Sequence, residues 1–156
     1  MNLNSELENR RNFFNKNFDM IKIGKKRVDI DSYEILKNTC PVCGYLTLNE
    51  RDSFEICQIC FWEDDGIDDY EADVVSGPNH MSLNEARLKF KICKEELLKH
   101  KNKNDIKSEI RLKFINLDEM IVNDFVDKGK IIKAQNELIN LFISNNINGL
   151  EELIKM

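Results

Sequence analysis

Four cysteines carry the clearest chemistry in this sequence. Cys40-Pro41-Val42-Cys43 and Cys57-Gln58-Ile59-Cys60 form two Cys-x-x-Cys pairs with thirteen residues between them. A turn this tight brings both thiolates of a pair to one ion, and Gly44 can take the positive φ that follows the first pair. Two such turns place four sulfurs tetrahedrally at about 2.3 Å from a metal. Four thiolates complete zinc's coordination shell and leave no position for a reacting water. The expectation is one structural zinc ion held by Cys40, Cys43, Cys57 and Cys60.

Iron is the alternative occupant. Cys-Pro-x-Cys-Gly-Tyr also reads as a rubredoxin-like knuckle, which would make the protein an electron carrier, and four thiolates accept either metal. Phe61-Trp62 rather than glycine follow the second pair, which favours zinc. A thioredoxin-like redox site would need a pair that opens a helix, and Pro41 with Gly44 suits a knuckle better.

The second chemical feature is an acidic tract. Glu63, Asp64, Asp65, Asp68, Asp69, Glu71 and Asp73 are seven acids in eleven residues. One reading makes Trp62, Glu63, Asp64, Asp65, Asp68 and Asp69 a partner-binding surface for a basic protein. Another makes the carboxylates, with His80, a divalent-cation site in a metal-dependent hydrolase; the spacing departs from a calcium-binding loop. A third makes them turn caps and solvated loop residues, with Trp62 packed on the knuckle. Residues 31–80 hold two basic residues against twelve acids, although the whole chain carries only −5. Such a field repels phosphate, so a nucleic acid partner is not expected. Lys22, Lys25, Lys26 and Arg27 read as a solvated turn. Cys93 reads as a small buried side chain, and His100 as a structural residue at a helix C-terminus. The sequence has no phosphate loop, nucleophile elbow or His-Glu-x-x-His signature, and a non-enzymatic protein is expected.

The elements around these residues follow from composition and period. With 33% charged and 42% hydrophobic residues the chain suits a globular protein, and no apolar run is long enough to span a membrane. Its first residues lack the basic start and apolar stretch of a secretion signal, so a cytoplasmic, reducing location is expected, where paired cysteines favour metal over disulfide. The expected fold class is α+β: a small zinc-ribbon-like hairpin module with four cysteine ligands, embedded in a mainly α-helical chain. Three stretches are expected: a helix and connector at 1–35, the cysteine module with its acidic loop at 36–81, and a helical region at 82–156.

Ser5 and Glu8 suggest a capping box for a helix over 5–21, and Val28 and Ile30 a weak strand. Within the module, Tyr45–Leu48 and Phe54–Ile56 are expected to pair as a hairpin turning at Asn49–Ser53. Ser82-Leu83-Asn84-Glu85 is a second capping box, opening a helix to His100. The apolar period from Ile106 to Phe125 predicts another helix, with Gly129 as its C′ residue. Helices over Ile131–Ser144 and Leu150–Ile154 follow. Their apolar faces can close on the module or pair with a second copy as a homo-oligomer.

Cys40-Pro41-Val42-Cys43-Gly44-Tyr45-Leu46-Thr47-Leu48, Phe54-Glu55-Ile56-Cys57-Gln58-Ile59-Cys60-Phe61-Trp62-Glu63-Asp64-Asp65, Gly77-Pro78-Asn79-His80 and Ser82-Leu83-Asn84-Glu85-Ala86-Arg87 together resemble the bacterial cysteine-rich CPCC domain family. Val42 stands in place of the family's middle cysteine and Gln58 in place of a proline. The first departure still leaves four ligands. The resemblance implies an association with bacterial toxin loci, and hence an immunity or antitoxin-like role.

Overall fold

The computed structural model describes residues 5–22, 38–123 and 127–156. In chain order the elements are α1 (Ser5–Lys22), β1 (Asn38–Thr39), β2 (Leu46–Leu48), a 3-10 turn at Asp69–Glu71, α2 (Leu83–Leu98), α3 (Ile106–Val122), α4 (Lys128–Ser144) and α5 (Gly149–Lys155). The class is therefore α+β and mainly helical. None of the described helices is long and apolar enough to cross a membrane.

The helix boundaries follow cap chemistry. The Ser82 box forms as expected: Glu85 N–H donates to Ser82 Oγ at 3.2 Å, and Ser82 N–H to Glu85 Oε2 at 2.7 Å. Asp105 caps α3 by accepting from Ser108 N–H, and His100 Nε2 lies 2.8 Å from the same carboxylate. His100 thus ties the end of α2 to the start of α3. One expectation changes. Gly129 does not end a helix; it lies in the first turn of α4 and donates its N–H to Asp127 Oδ1 at 2.7 Å. A side-chain acceptor two residues upstream outweighs the glycine signal, because it satisfies N–H groups that the helix leaves unpaired. α1 is described from Ser5 onward, so the expected Ser5 cap falls at the edge of the described residues. The Val28–Ile30 strand, Lys25-Lys26-Arg27 and Phe125 also lie outside them.

The expected hairpin is replaced by a different pairing. β2 pairs antiparallel with β1 across the first cysteine pair, and Ile56 bridges to Glu63 across the second. Each cysteine pair closes its own short hairpin, and the Asn49–Ser53 turn joins the two. The Glu55 carboxylate holds that turn by accepting from Asn49 and Glu50 N–H at 2.9 and 3.1 Å. The free edge of β2 is closed by Gln135 of α4, whose amide accepts from Leu46 N–H at 2.9 Å and donates to Leu46 O at 2.7 Å. A buried glutamine so placed does the hydrogen bonding of a third strand.

Buried residues from α1, the cysteine module and all four later helices form one hydrophobic cluster. At its centre the Tyr45 ring lies 5.9 Å from Phe114 and 6.4 Å from Phe90, and Phe114 lies 6.4 Å from Phe142. Buried aromatic rings at steep angles to one another give this centre both area and a fixed geometry. α3 packs chiefly on α4, and α5 returns onto α2.

Candidate metal centre

The two cysteine pairs repeat one backbone pattern. In the first, Cys40 N–H donates to Tyr45 O at 2.9 Å and Gly44 N–H to Cys40 O at 2.9 Å. In the second, Cys57 N–H donates to Trp62 O at 2.9 Å and Phe61 N–H to Cys57 O at 2.7 Å. The residue after each pair closes its turn at positive φ: Gly44 at 78° and Phe61 at 63°.

The repeat brings four sulfurs together. Cys40 Sγ lies 3.5 Å from Cys60 Sγ, Cys43 Sγ 3.7 Å from Cys57 Sγ, and all four lie within 4.8 Å of one another. An ion about 2.3 Å from each of four tetrahedral sulfurs would set them about 3.8 Å apart. These separations fit that cage and far exceed the roughly 2.05 Å of a disulfide. Hydrogen bonds support the sulfurs: Thr47 Oγ1 donates to Cys57 Sγ at 3.1 Å and Val42 N–H to Cys40 Sγ at 3.4 Å.

Burial pushes the Cys43 and Cys60 thiols well above their ordinary range. Burial acts the same way on Cys57, but hydrogen bonds from the neighbouring thiols and Thr47 bring it well below. Such a set resists full ionisation until a cation offsets the charge, and soft sulfur donors suit zinc or iron. The four cysteines can hold one metal ion.

The surroundings of the two knuckles differ. Arg10 Nε donates to Cys43 O at 2.7 Å and Arg87 Nε to Pro41 O at 2.9 Å, so two buried arginines seal the first. Gly44 sits against α1, where a Cβ would meet Leu7 Cδ1 at 2.9 Å. The second knuckle meets α5. Leu150 N–H donates to Ile59 O at 2.8 Å, and a Cβ on Gly149 (φ 81°) would meet Phe61 Cβ at 2.8 Å. Beside it a 510 Å³ cavity is lined by Cys60, Phe61, Trp62, Phe90, Lys89 and Glu151, among others.

The acidic tract is largely engaged in internal pairs. Asp64 is 0% exposed; Arg51 Nε donates to it at 2.7 Å and Asp52 N–H at 2.9 Å. Trp62 is 3% exposed. These two expected partner contacts are withdrawn from solvent, because the same fold that closes the second knuckle buries them. Asp65 accepts from Ser76 Oγ at 2.8 Å, and Asp68 pairs with Arg51 at 3.4 Å. Asp69 is more exposed yet pairs with Arg87 at 2.6 Å and Arg11 at 3.0 Å, which links α1 to α2. Glu63 is half-buried, with Asn79 bonded to its main chain on both sides. His80, at φ 55°, is exposed, and Cys93 is half-buried at the 510 Å³ cavity.

Residues 38–107, just under half of the chain, match the family model described as Cysteine-rich CPCC. This segment is similar to the cysteine-rich CPCC domain. No curated protein and no solved structure matches the chain. The CPCC segment runs from β1 into the first turn of α3, so it includes the knuckles, the acidic loop and α2. With Val42 between its first cysteines, it still assembles four sulfurs. Arg10, Arg51 and Arg87 hold it together, and sequence reading singled out none of the three. Arg87 lay within the family-like stretch, which was the one available signal. Arg10 belongs to a helix outside that stretch and carried none.

Proposed function

We propose that the four cysteines hold one structural zinc ion and that the protein is a non-enzymatic binding protein whose contact surface lies at the second knuckle. The observation that carries this reading is an exposed apolar rim on a rigid support. Phe54 is 58% and Phe61 42% exposed, at φ 60° and 63°. A left-handed conformation at a bulky residue costs about 1–2 kcal/mol. Such strain on surface aromatics beside a metal cage suits a pre-ordered anchor, which lowers the entropy cost of association. The acidic balance of the middle stretch favours a basic protein partner through its long-range field. An immunity or antitoxin-like role is the specific form that the CPCC resemblance supports. Zinc is favoured over iron because Phe61-Trp62 follow the second pair.

The test is affinity capture from native cells with tagged wild-type protein and Phe61→Ser, alongside metal analysis of each. One stoichiometric protein retained by the wild type and lost by the zinc-loaded variant is the expected result. Equal capture by both, or none by either, would remove the docking reading. A red protein with visible charge-transfer bands would replace zinc by iron.

A further inference from the structure

The 510 Å³ cavity beside the second knuckle has two groups in its wall that the fold leaves unmatched. The first is a charge. Five charged side chains line the space, three carboxylates against two ammonium groups, and four of the five are paired. Lys89 Nζ lies 2.7 Å from Glu151 Oε2 and Lys155 Nζ 2.7 Å from Glu151 Oε1, so one carboxylate serves both lysines. Glu152 Oε2 accepts from Asn148 N–H at 3.0 Å. The fifth is Glu63. Asn79 holds its main chain on both sides, but no cation or donor meets its half-buried carboxylate among the described residues. The second group is the indole N–H of Trp62, which is buried and has no acceptor among the described residues. Trp62 is withdrawn from the outer surface, yet its side chain lines the cavity. Buried polar groups are ordinarily paired, so an orphaned donor in a cavity wall calls for a ligand atom.

The two groups need opposite partners, a cation for the carboxylate and an acceptor for the indole. Cys60 also lines the cavity, and four thiolates on a divalent ion would add further negative charge. The aromatic walls, Phe61, Trp62 and Phe90, narrow the choice of cation. A guanidinium both forks a carboxylate and stacks on aromatic rings. A peptide carbonyl next to such a side chain supplies the acceptor. We propose that the cavity receives one arginine side chain of the partner, with its guanidinium on Glu63 and an adjoining peptide carbonyl on Trp62 Nε1. This rests on the contact surface proposed at the second knuckle, because Phe61 both forms that surface and lines the cavity, and it gives the basic partner an anchor residue.

The experiment titrates the metal-loaded full chain with a blocked alanine–arginine–alanine tripeptide and with its citrulline and lysine counterparts, following the emission of Trp62, the single tryptophan of the chain. The arginine peptide is expected to give a saturable change. The citrulline peptide, which has the same shape without the charge, should bind at least about tenfold more weakly, and the lysine peptide should fall between them. Glu63→Gln keeps the main-chain bonds to Asn79 and should weaken the arginine peptide by about tenfold. If that variant does not fold, the arginine and citrulline comparison in the wild type still decides. No saturable change, equal binding of citrulline, lysine bound as tightly as arginine, or an unaffected Glu63→Gln would each overturn the proposal. Affinity capture separates it from the docking reading. A partner retained by Glu63→Gln but lost by Phe61→Ser would remove the arginine anchor and leave the surface standing, whereas loss by both variants is the expected result.

Discussion

The two knuckles share a backbone pattern and differ in what covers them. The first is closed over by α1 and α2, with an arginine on each of the Pro41 and Cys43 carbonyls, and both its cysteines are buried. The second is touched by the start of α5, leaves Cys60 half-buried, and presents Ile56 and Phe61 to solvent. The closing residue shows the same contrast. Position 44 is glycine because a side chain there would strike Leu7, whereas position 61 carries a phenylalanine in the same left-handed conformation because its side chain reaches solvent. One turn is built as core and the other as surface, although the chemistry at their tips is the same.

Metal removal should have the largest effect. A structural site of this kind contributes on the order of 10 kcal/mol to folding, so a strong chelator should unfold the CPCC segment cooperatively by circular dichroism. Cys43→Ser and Cys60→Ser should separate the knuckles. Water can reach the half-buried position 60 and serve as a fourth ligand, so Cys60→Ser keeps a weakened site while Cys43→Ser loses it. Metal-to-protein ratios after dialysis would read this, and equal loss would erase the distinction.

Arg87→Met should cost about 3 kcal/mol, because it strands the buried Pro41 carbonyl and frees Asp69. Denaturant unfolding of the metal-loaded protein measures it, and a loss below about 1 kcal/mol would mean the arginine does not seal the first knuckle. Gly149→Ala tests the other cover. Its φ of 81° and the 2.8 Å approach to Phe61 predict a loss of about 2 kcal/mol.

Exchanging the closing residues sharpens the contrast further. Phe61→Gly relieves a left-handed phenylalanine while losing a half-buried ring, so stability should stay within about 1 kcal/mol. The reverse change, Gly44→Phe, should prevent folding. A large loss in Phe61→Gly would show that position 61 belongs to the core.

The smallest effect expected is at Asp69, which ties α1 to α2 beside the first knuckle. Burial raises its pKa, but hydrogen bonds from Arg87 and Arg11 outweigh this and hold it below the ordinary 3.8. A depressed carboxylate contributes stability that is complete above its unfolded value and lost as pH falls through the folded value. The carboxylate is 59% exposed, so the contribution should stay under about 1 kcal/mol. Asp69→Asn should therefore flatten the stability profile only below about pH 4.

Much of the metal centre was legible in the sequence, because two tight turns need only local spacing to aim their thiolates at one point. The Ser82 cap was legible for the same reason: its donors and acceptors lie within one turn. Pairing across distance was not. Tyr45–Leu48 had the composition of a strand, yet nothing local said that its partner would be Asn38–Thr39 or that Gln135, 89 residues from Leu46, would close its edge. The ion pairs of the acidic tract were hidden for a related reason. Seven acids look like a surface when counted along the chain, but Arg51, Arg11 and Arg87 reach them from three separate segments. The sequence by itself determined the four-sulfur cluster and the helical frame, both products of short-range spacing and period. Only the tertiary structure decided which knuckle is covered, where the acids point and where buried cations gather, since burial is a property of what packs from elsewhere in the chain.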